Sequence, residues 1–281
     1  MFRIFTFLLL CVVVATGCAP TIRKPERVCP GAASANKALS LLELHSDSIV
    51  PLRANGQCFL EYYSGGKKHK ENFPVKIWMN PPVEIYLQGD VAFDPKGVVL
   101  GSNKDEFWLT VRLKEISSYW WGRWSGGNYF KNLAVNPGIM LEVMGVGKIG
   151  QREDWFLSKE GAYDVLAKKN SEGAVIRKMY VYNCDYLVRK IEYFDANEQA
   201  VIVAELGEYK KVSKDFFVPG VIKISRCIDN KDEGPIAVSF TIELAEQTSF
   251  MEKQREMIFR RPEPDGFKRV LEITGYGQDR P

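Results

Sequence analysis

What this 281-residue chain has little of narrows its chemistry first. It holds two histidines, His45 and His69, and six cysteines without a Cys-x-x-Cys pair, so no metal site is expected. No GxSxG elbow, SxxK or HExxH motif occurs, and His45 and Asp47 lie two apart, a spacing that does not face on a helix. Carboxylates are numerous, yet none sits in an apolar setting that would raise its pKa for acid catalysis. An enzyme is not the expected reading. The 38 Lys+Arg and 35 Asp+Glu are scattered without a block of like sign, which excludes the basic stripe that a nucleic-acid partner requires. Gly145-Val146-Gly147-Lys148-Ile149-Gly150 has the GxGxxG spacing, but a helical pattern precedes it and Gln151-Arg152-Glu153-Asp154 follows. A dinucleotide site needs a strand before and a helix after, so the glycines read as a turn leaving the helix, and no cofactor is expected.

What is present begins at the N-terminus. Arg3 precedes an apolar run over residues 4–14, and the small residues Ala15, Thr16 and Gly17 lead to Cys18. The run is too short to cross a bilayer, which takes about 20 apolar residues, and it resembles a bacterial lipoprotein signal ending in a lipobox. That resemblance implies cleavage before Cys18 and acylation of Cys18, which would anchor the protein to a membrane, since two or more acyl chains hold where one is marginal. Ala15 stands where Leu is commoner in such signals, and Ala19, not Asp, follows the cysteine. The latter implies the outer membrane, facing the periplasm. The division that follows is 1–17 signal peptide, 18–34 a lipidated tether rich in Pro, Arg and Ala, and 35–281 one folded domain. Cys29, Cys58, Cys184 and Cys227 remain after the signal and anchor are set aside. An even count in an oxidising compartment predicts at least one disulfide, with Cys184 to Cys227 favoured because both fall in the second half of the strand pattern; the rest could be small buried apolar residues.

Asn36 is a candidate cap for a helix over residues 37–49, with Leu39, Leu42 and His45 or Leu41, Leu44 and Ser48 as competing stripes, and Pro51 ends it. The period then changes to two. Cys58, Leu60 and Tyr62 alternate with Phe59 and Glu61, Ser64-Gly65-Gly66 makes a hairpin turn, and strands follow around residues 75–79, 83–88, 98–100 and 107–114, with a turn at Asp94-Pro95-Lys96-Gly97. The aromatic stretch from Tyr119 through Trp120, Trp121 and Trp124 to Tyr129 and Phe130 breaks the alternation and reads as something other than a simple strand: rings packed over one end of the sheet, or a lid. Asn136-Pro137 predicts the cap and first position of a short helix reaching about Met144. Strand patterns resume at 155–157, 175–182, 187–194, 200–208, 221–225 and 236–244.

The expected fold is mainly β: a single curved antiparallel sheet of about eleven strands, a half-open barrel, with one N-terminal and one or two mid-chain helices over its concave face. An N-terminal helix, a long meander, a helical interruption, a second meander and a closing Phe259-Arg260-Arg261-Pro262 with Gly266-Phe267-Lys268-Arg269-Val270 together resemble the lipoprotein carrier and receptor family, LolA/LolB-like. The segment Val83-Glu84-Ile85-Tyr86-Leu87-Gln88-Gly89-Asp90 carries part of that likeness. The resemblance implies reversible, noncovalent binding of lipid or lipoprotein acyl chains, palmitate among them, in lipoprotein sorting or envelope biogenesis, and a basic residue on the cavity wall for which Arg53 and Arg112 are the candidates. Expected wall residues are Ile85, Leu87, Leu109, Val111, Ile191, Val203, Phe240 and Ile242. The alternative is a structural or assembly lipoprotein whose interior is filled by its own helices and which acts through an envelope protein partner.

Overall fold

A computed structural model of the protein describes residues 27–46, 48–92, 94–114, 116–124, 135–146, 152–227 and 234–273. The signal peptide, Cys18, Tyr129, Phe130, Gly147 and Gly150 lie outside the described residues. The first half runs α1 (Ala35–Ser46), β1 (Leu52–Ser64), β2 (Lys67–Asn80), β3 (Glu84–Val91), β4 (Asp94–Ser102), β5 (Glu106–Arg112), β6 (Ser117–Arg123) and α2 (Pro137–Val143). The second runs β7 (Trp155–Glu160), β8 (Tyr163–Lys169), β9 (Val175–Tyr182), β10 (Val188–Phe194), β11 (Ala200–Gly207), β12 (Lys210–Lys211), β13 (Phe217–Val218), β14 (Val221–Arg226), β15 (Gly234–Gln247), α3 (Glu252–Ile258) and β16 (Arg269–Glu272).

Fourteen strands form one sheet in the order β16-β6-β5-β4-β3-β2-β1-β15-β14-β11-β10-β9-β8-β7, and β12 and β13 pair separately. Neighbours are antiparallel except β16, which runs parallel to β6. β7 and β16 are edges, so the sheet curves without closing. The sequence predicts about eleven strands; β6, β8, β12, β13 and β16 are the ones its alternation does not disclose. β12, β13 and β16 are two to four residues long, too short to display a period.

Alternation works best where one face meets water. Along β1, Leu52, Ala54, Gly56, Cys58 and Leu60 are buried and Arg53, Asn55, Gln57 and Phe59 between them are exposed. Gly65 and Gly66, at φ +57° and +71°, make the predicted turn into β2. The turn expected at residues 94–97 instead belongs to β4, with Asp94 paired to Val91.

β6 is a strand, contrary to the reading of residues 119–122. Its period is hidden because both faces are covered. The segment after α3 crosses the outer face: Phe267 packs edge-on against Tyr119, Arg261 lies 4.3 Å over Trp121, and the Tyr119 hydroxyl donates to the Pro262 carbonyl at 2.7 Å. Arg255 of α3 is held 2.7 Å from the buried carboxylate of Glu84. A second layer over β4 to β6 therefore buries residues on both sides, such as Trp108 and Leu109.

α1 begins two residues before the predicted start. Ser34, not Asn36, caps it, its Oγ accepting from Lys37 N at 3.3 Å. Of the two competing stripes, Leu39 is buried, Leu42 packs against the core and His45 lies edge-on to Phe217 of β13, while Leu44 is exposed. The chain before α1 is docked from Arg27 onward, so the boundary expected at residue 34 falls within bound chain. Tyr182 donates to the Arg27 carbonyl, Ala32 N donates to buried Asp164 at 2.6 Å, and Cys29 is disulfide-bonded to Cys184. Cys227 is free and exposed and Cys58 is free and buried, which corrects the favoured Cys184 to Cys227 pairing. The partner of Cys184 is remote in sequence, 155 residues away, and no strand pattern could have paired them.

Candidate ligand cavity

The concave face is built by register. Ile77, Leu87, Leu100 and Leu109 lie side by side across β2, β3, β4 and β5, and Phe73, Cys58, Phe240 and Ile222 do so across β2, β1, β15 and β14. All eight are almost fully buried. Gly89 belongs to this face because a Cβ there would come within 2.3 Å of the Phe73 ring.

A sheet this apolar on one face needs cover, and α2 supplies much of it. Asn136 accepts from Ile139 N at 2.9 Å as the helix cap, with Pro137 in the first turn, as the sequence predicts. Ile139, Met140, Leu141 and Val143 are buried. The helix stops at Gly145, whose φ of +81° allows Gly145 N to bond Glu142 O and Val146 N to bond Leu141 O. The first glycine of the GxGxxG spacing is thus a helix terminator.

On the concave face, lined by β1 to β5, β15 and Val135 just before α2, remains a cavity of about 20 Å³ with apolar walls, room for one or two water molecules. Of the expected wall residues, Leu87, Leu109, Val111 and Phe240 line it. Ile85, Ile191 and Ile242 are buried on the same face without lining it. Val203 is placed on the opposite face, half-buried and paired with Glu192 and Ser225; its neighbours Ile202 and Ala204 point inward. The expectation failed there because Val201 to Ala204 is apolar on both faces, so a one-residue register shift leaves no trace in the sequence. Missed lining residues include Cys58, Phe73 and Val135.

The expected wall arginines are not on the wall. Arg53 is exposed and paired with Glu246 at 2.6 Å, and Arg112 lies on the outer face over Phe267, donating to the Asp265 carbonyl. The inward cation is Arg177 of β9. It pairs with Glu142 of α2, whose other oxygen accepts from the Tyr193 hydroxyl at 2.9 Å, and its guanidinium lies 4.8 Å from the Trp155 ring. Burial, then the Glu142 charge, pushes the Tyr193 hydroxyl well above its ordinary value; burial and nearby Arg177 lower Lys168. The signal was available: Val175, Arg177, Met179 and Val181 alternate, and a charge on the inward stripe marks a buried partner. α2 therefore bridges the concave face, packed on β4 and β5 at one side and ion-paired to β9 at the other.

These features define a curved half-barrel around an apolar interior plugged by one helix. Two solved structures are similar in fold: a LolA superfamily protein from Nitrosomonas europaea (10% identity, TM-score 0.51, covering 82% of this chain and 99% of that one), and an outer membrane lipoprotein-sorting protein domain from Vibrio parahaemolyticus (12% identity, TM-score 0.51, covering 80% and 100%). No protein-family model matches the sequence, and no curated protein matches it. The fold is LolA-like. Among the described residues no helix is long and apolar enough to cross a membrane.

Proposed function

We propose that the protein is a lipoprotein of the cell envelope, anchored through Cys18 on the periplasmic face of the outer membrane, that takes an acyl chain of a lipid or lipoprotein into the concave face when α2 withdraws. No bond is made or broken. The observation that carries the reading is the wholly apolar cavity wall on the concave face. The cavity as it stands is far smaller than the few hundred Å³ of a ligand pocket, so entry requires the plug to move. The exchange is near balance: exposing the four buried side chains of α2 costs roughly 6–12 kcal/mol, and a 16-carbon chain regains on the order of 10 kcal/mol at about 0.8 kcal/mol per CH₂. The Arg177 to Glu142 pair adds to the closed side and sets how readily α2 leaves.

A second reading, a structural envelope lipoprotein with a self-filled interior that works through a protein partner, is favoured by the smallness of the cavity. Titrating a fluorescent 16-carbon fatty acid into the soluble form that begins after Cys18 separates them. The carrier reading expects saturable binding at one site, strengthened in Arg177→Met. No binding by either protein, with both folded, would leave the structural reading.

A further inference from the structure

Strand polarity fixes which ends of the sheet lie apart. β1 and β9 are separated by β15, β14, β11 and β10, each antiparallel to the next, so the end of β9 at Tyr182 and the β1–β2 turn at Gly65 and Gly66 lie on opposite rims. Cys184, just past β9, is bridged to Cys29, and the Cys29 amide donates to Asn183 at 3.3 Å. Asp164, on the neighbouring β8, grips Ala32 N and accepts from Tyr186. The N-terminal chain is therefore clamped to the β9 rim before α1 begins.

We infer that, in the anchored protein, the rim carrying Cys184 and the β7–β8 turn sits against the bilayer surface and the rim carrying the β1–β2 turn points away from it. The inference rests on the reading of Cys18 as the anchor. Eight residues separate Cys18 from Arg27, where docking begins, a length that reaches roughly 28 Å at most in polyproline form. β1 is 13 residues, about 44 Å of strand, or roughly 30 Å of height at the tilt of a barrel strand. Bringing the β1–β2 rim to the same bilayer would hold the tether almost straight. Arg23, Lys24 and Arg27 in and beside that short segment favour an anionic headgroup layer, and Val28 at the clamp is 67% exposed.

The test places a fluorescent amino acid at exposed Glu160, beside the β7–β8 turn, or at exposed Lys67, beside the β1–β2 turn, in the full-length lipidated protein on vesicles of phosphatidylethanolamine and phosphatidylglycerol carrying headgroup nitroxide. The expected result is severalfold stronger quenching at residue 160 than at 67. Intact mass on the same preparation reads the anchor. A mass without lipid on Cys18 overturns the anchor and this orientation together; lipid on Cys18 with equal quenching, or stronger quenching at 67, overturns the orientation alone.

Discussion

Met140 is fully buried at the centre of α2, and replacing it with alanine tests plug and cavity together. Truncating a buried methionine costs about 2–5 kcal/mol, through lost burial and the void left behind. For a domain of this size each kcal/mol moves the melting temperature by roughly 2–4 °C, so a fall of about 5–15 °C is expected. The same truncation removes part of the helix that covers the concave face. Palmitate should then bind Met140→Ala more tightly than the wild type, because less of the plug must be displaced. At a concentration of one hundred times Kd it should restore about 2.7 kcal/mol, half or more of the loss. Thermal unfolding followed by circular dichroism, with and without palmitate, reads both effects. A lower melting temperature that palmitate leaves unmoved, in the variant and in the wild type, would refute the displacement reasoning and favour a sealed interior.

Leu109, 4% exposed, lines the cavity, and Leu109→Glu would place a carboxylate on a wall that, among the described residues, holds no cation. The variant should be destabilised by several kcal/mol; wild-type stability in urea would mean that the wall is open to water. Thiol titration of the form beginning after Cys18 should find one reactive cysteine in the native protein, Cys227, and two after unfolding, because burial pushes the Cys58 thiol far above its ordinary range and Cys29 and Cys184 are bridged. Four reactive thiols after unfolding without reductant would be inconsistent with that bridge. Glu61 is held below its ordinary value of 4.5 by the Lys68 hydrogen bond and by Lys70. Its folded pKa is the lower one, so its contribution is present above that ordinary value and is lost as pH falls through the depressed one. Glu61→Gln should lower stability at neutral pH and leave it little changed once Glu61 is protonated, flattening the profile below about pH 4.5; an unaltered acid slope would show that the pair contributes nothing.

The parts of the fold legible in the sequence are those with one face in water. β1 to β3 and β15 announce themselves by alternation, and α2 by its Asn136-Pro137 cap. β6 does not, because Tyr119, Trp120 and Trp121 are enclosed between the concave interior and the chain after α3, and a strand buried on both sides loses its period. The site was legible to the extent that Leu87, Leu109, Val111 and Phe240 share an inward stripe. The role of α2 was not, since its Glu142 meets Arg177 only after the chain has turned from β6 through β9. The same holds for Cys29 and Cys184, whose meeting depends on how the N-terminal chain docks under β8 and β9.

The central claim is that α2 is a displaceable plug over an acyl-binding wall, and amide hydrogen exchange at residues 137–146 tests it most directly. In the free protein the bonds of Met140, Met144, Gly145 and Val146 should protect this segment. With saturating palmitate its exchange should rise selectively while β1 to β5 stay protected. Unchanged exchange in α2, with palmitate not retained, would contradict the account.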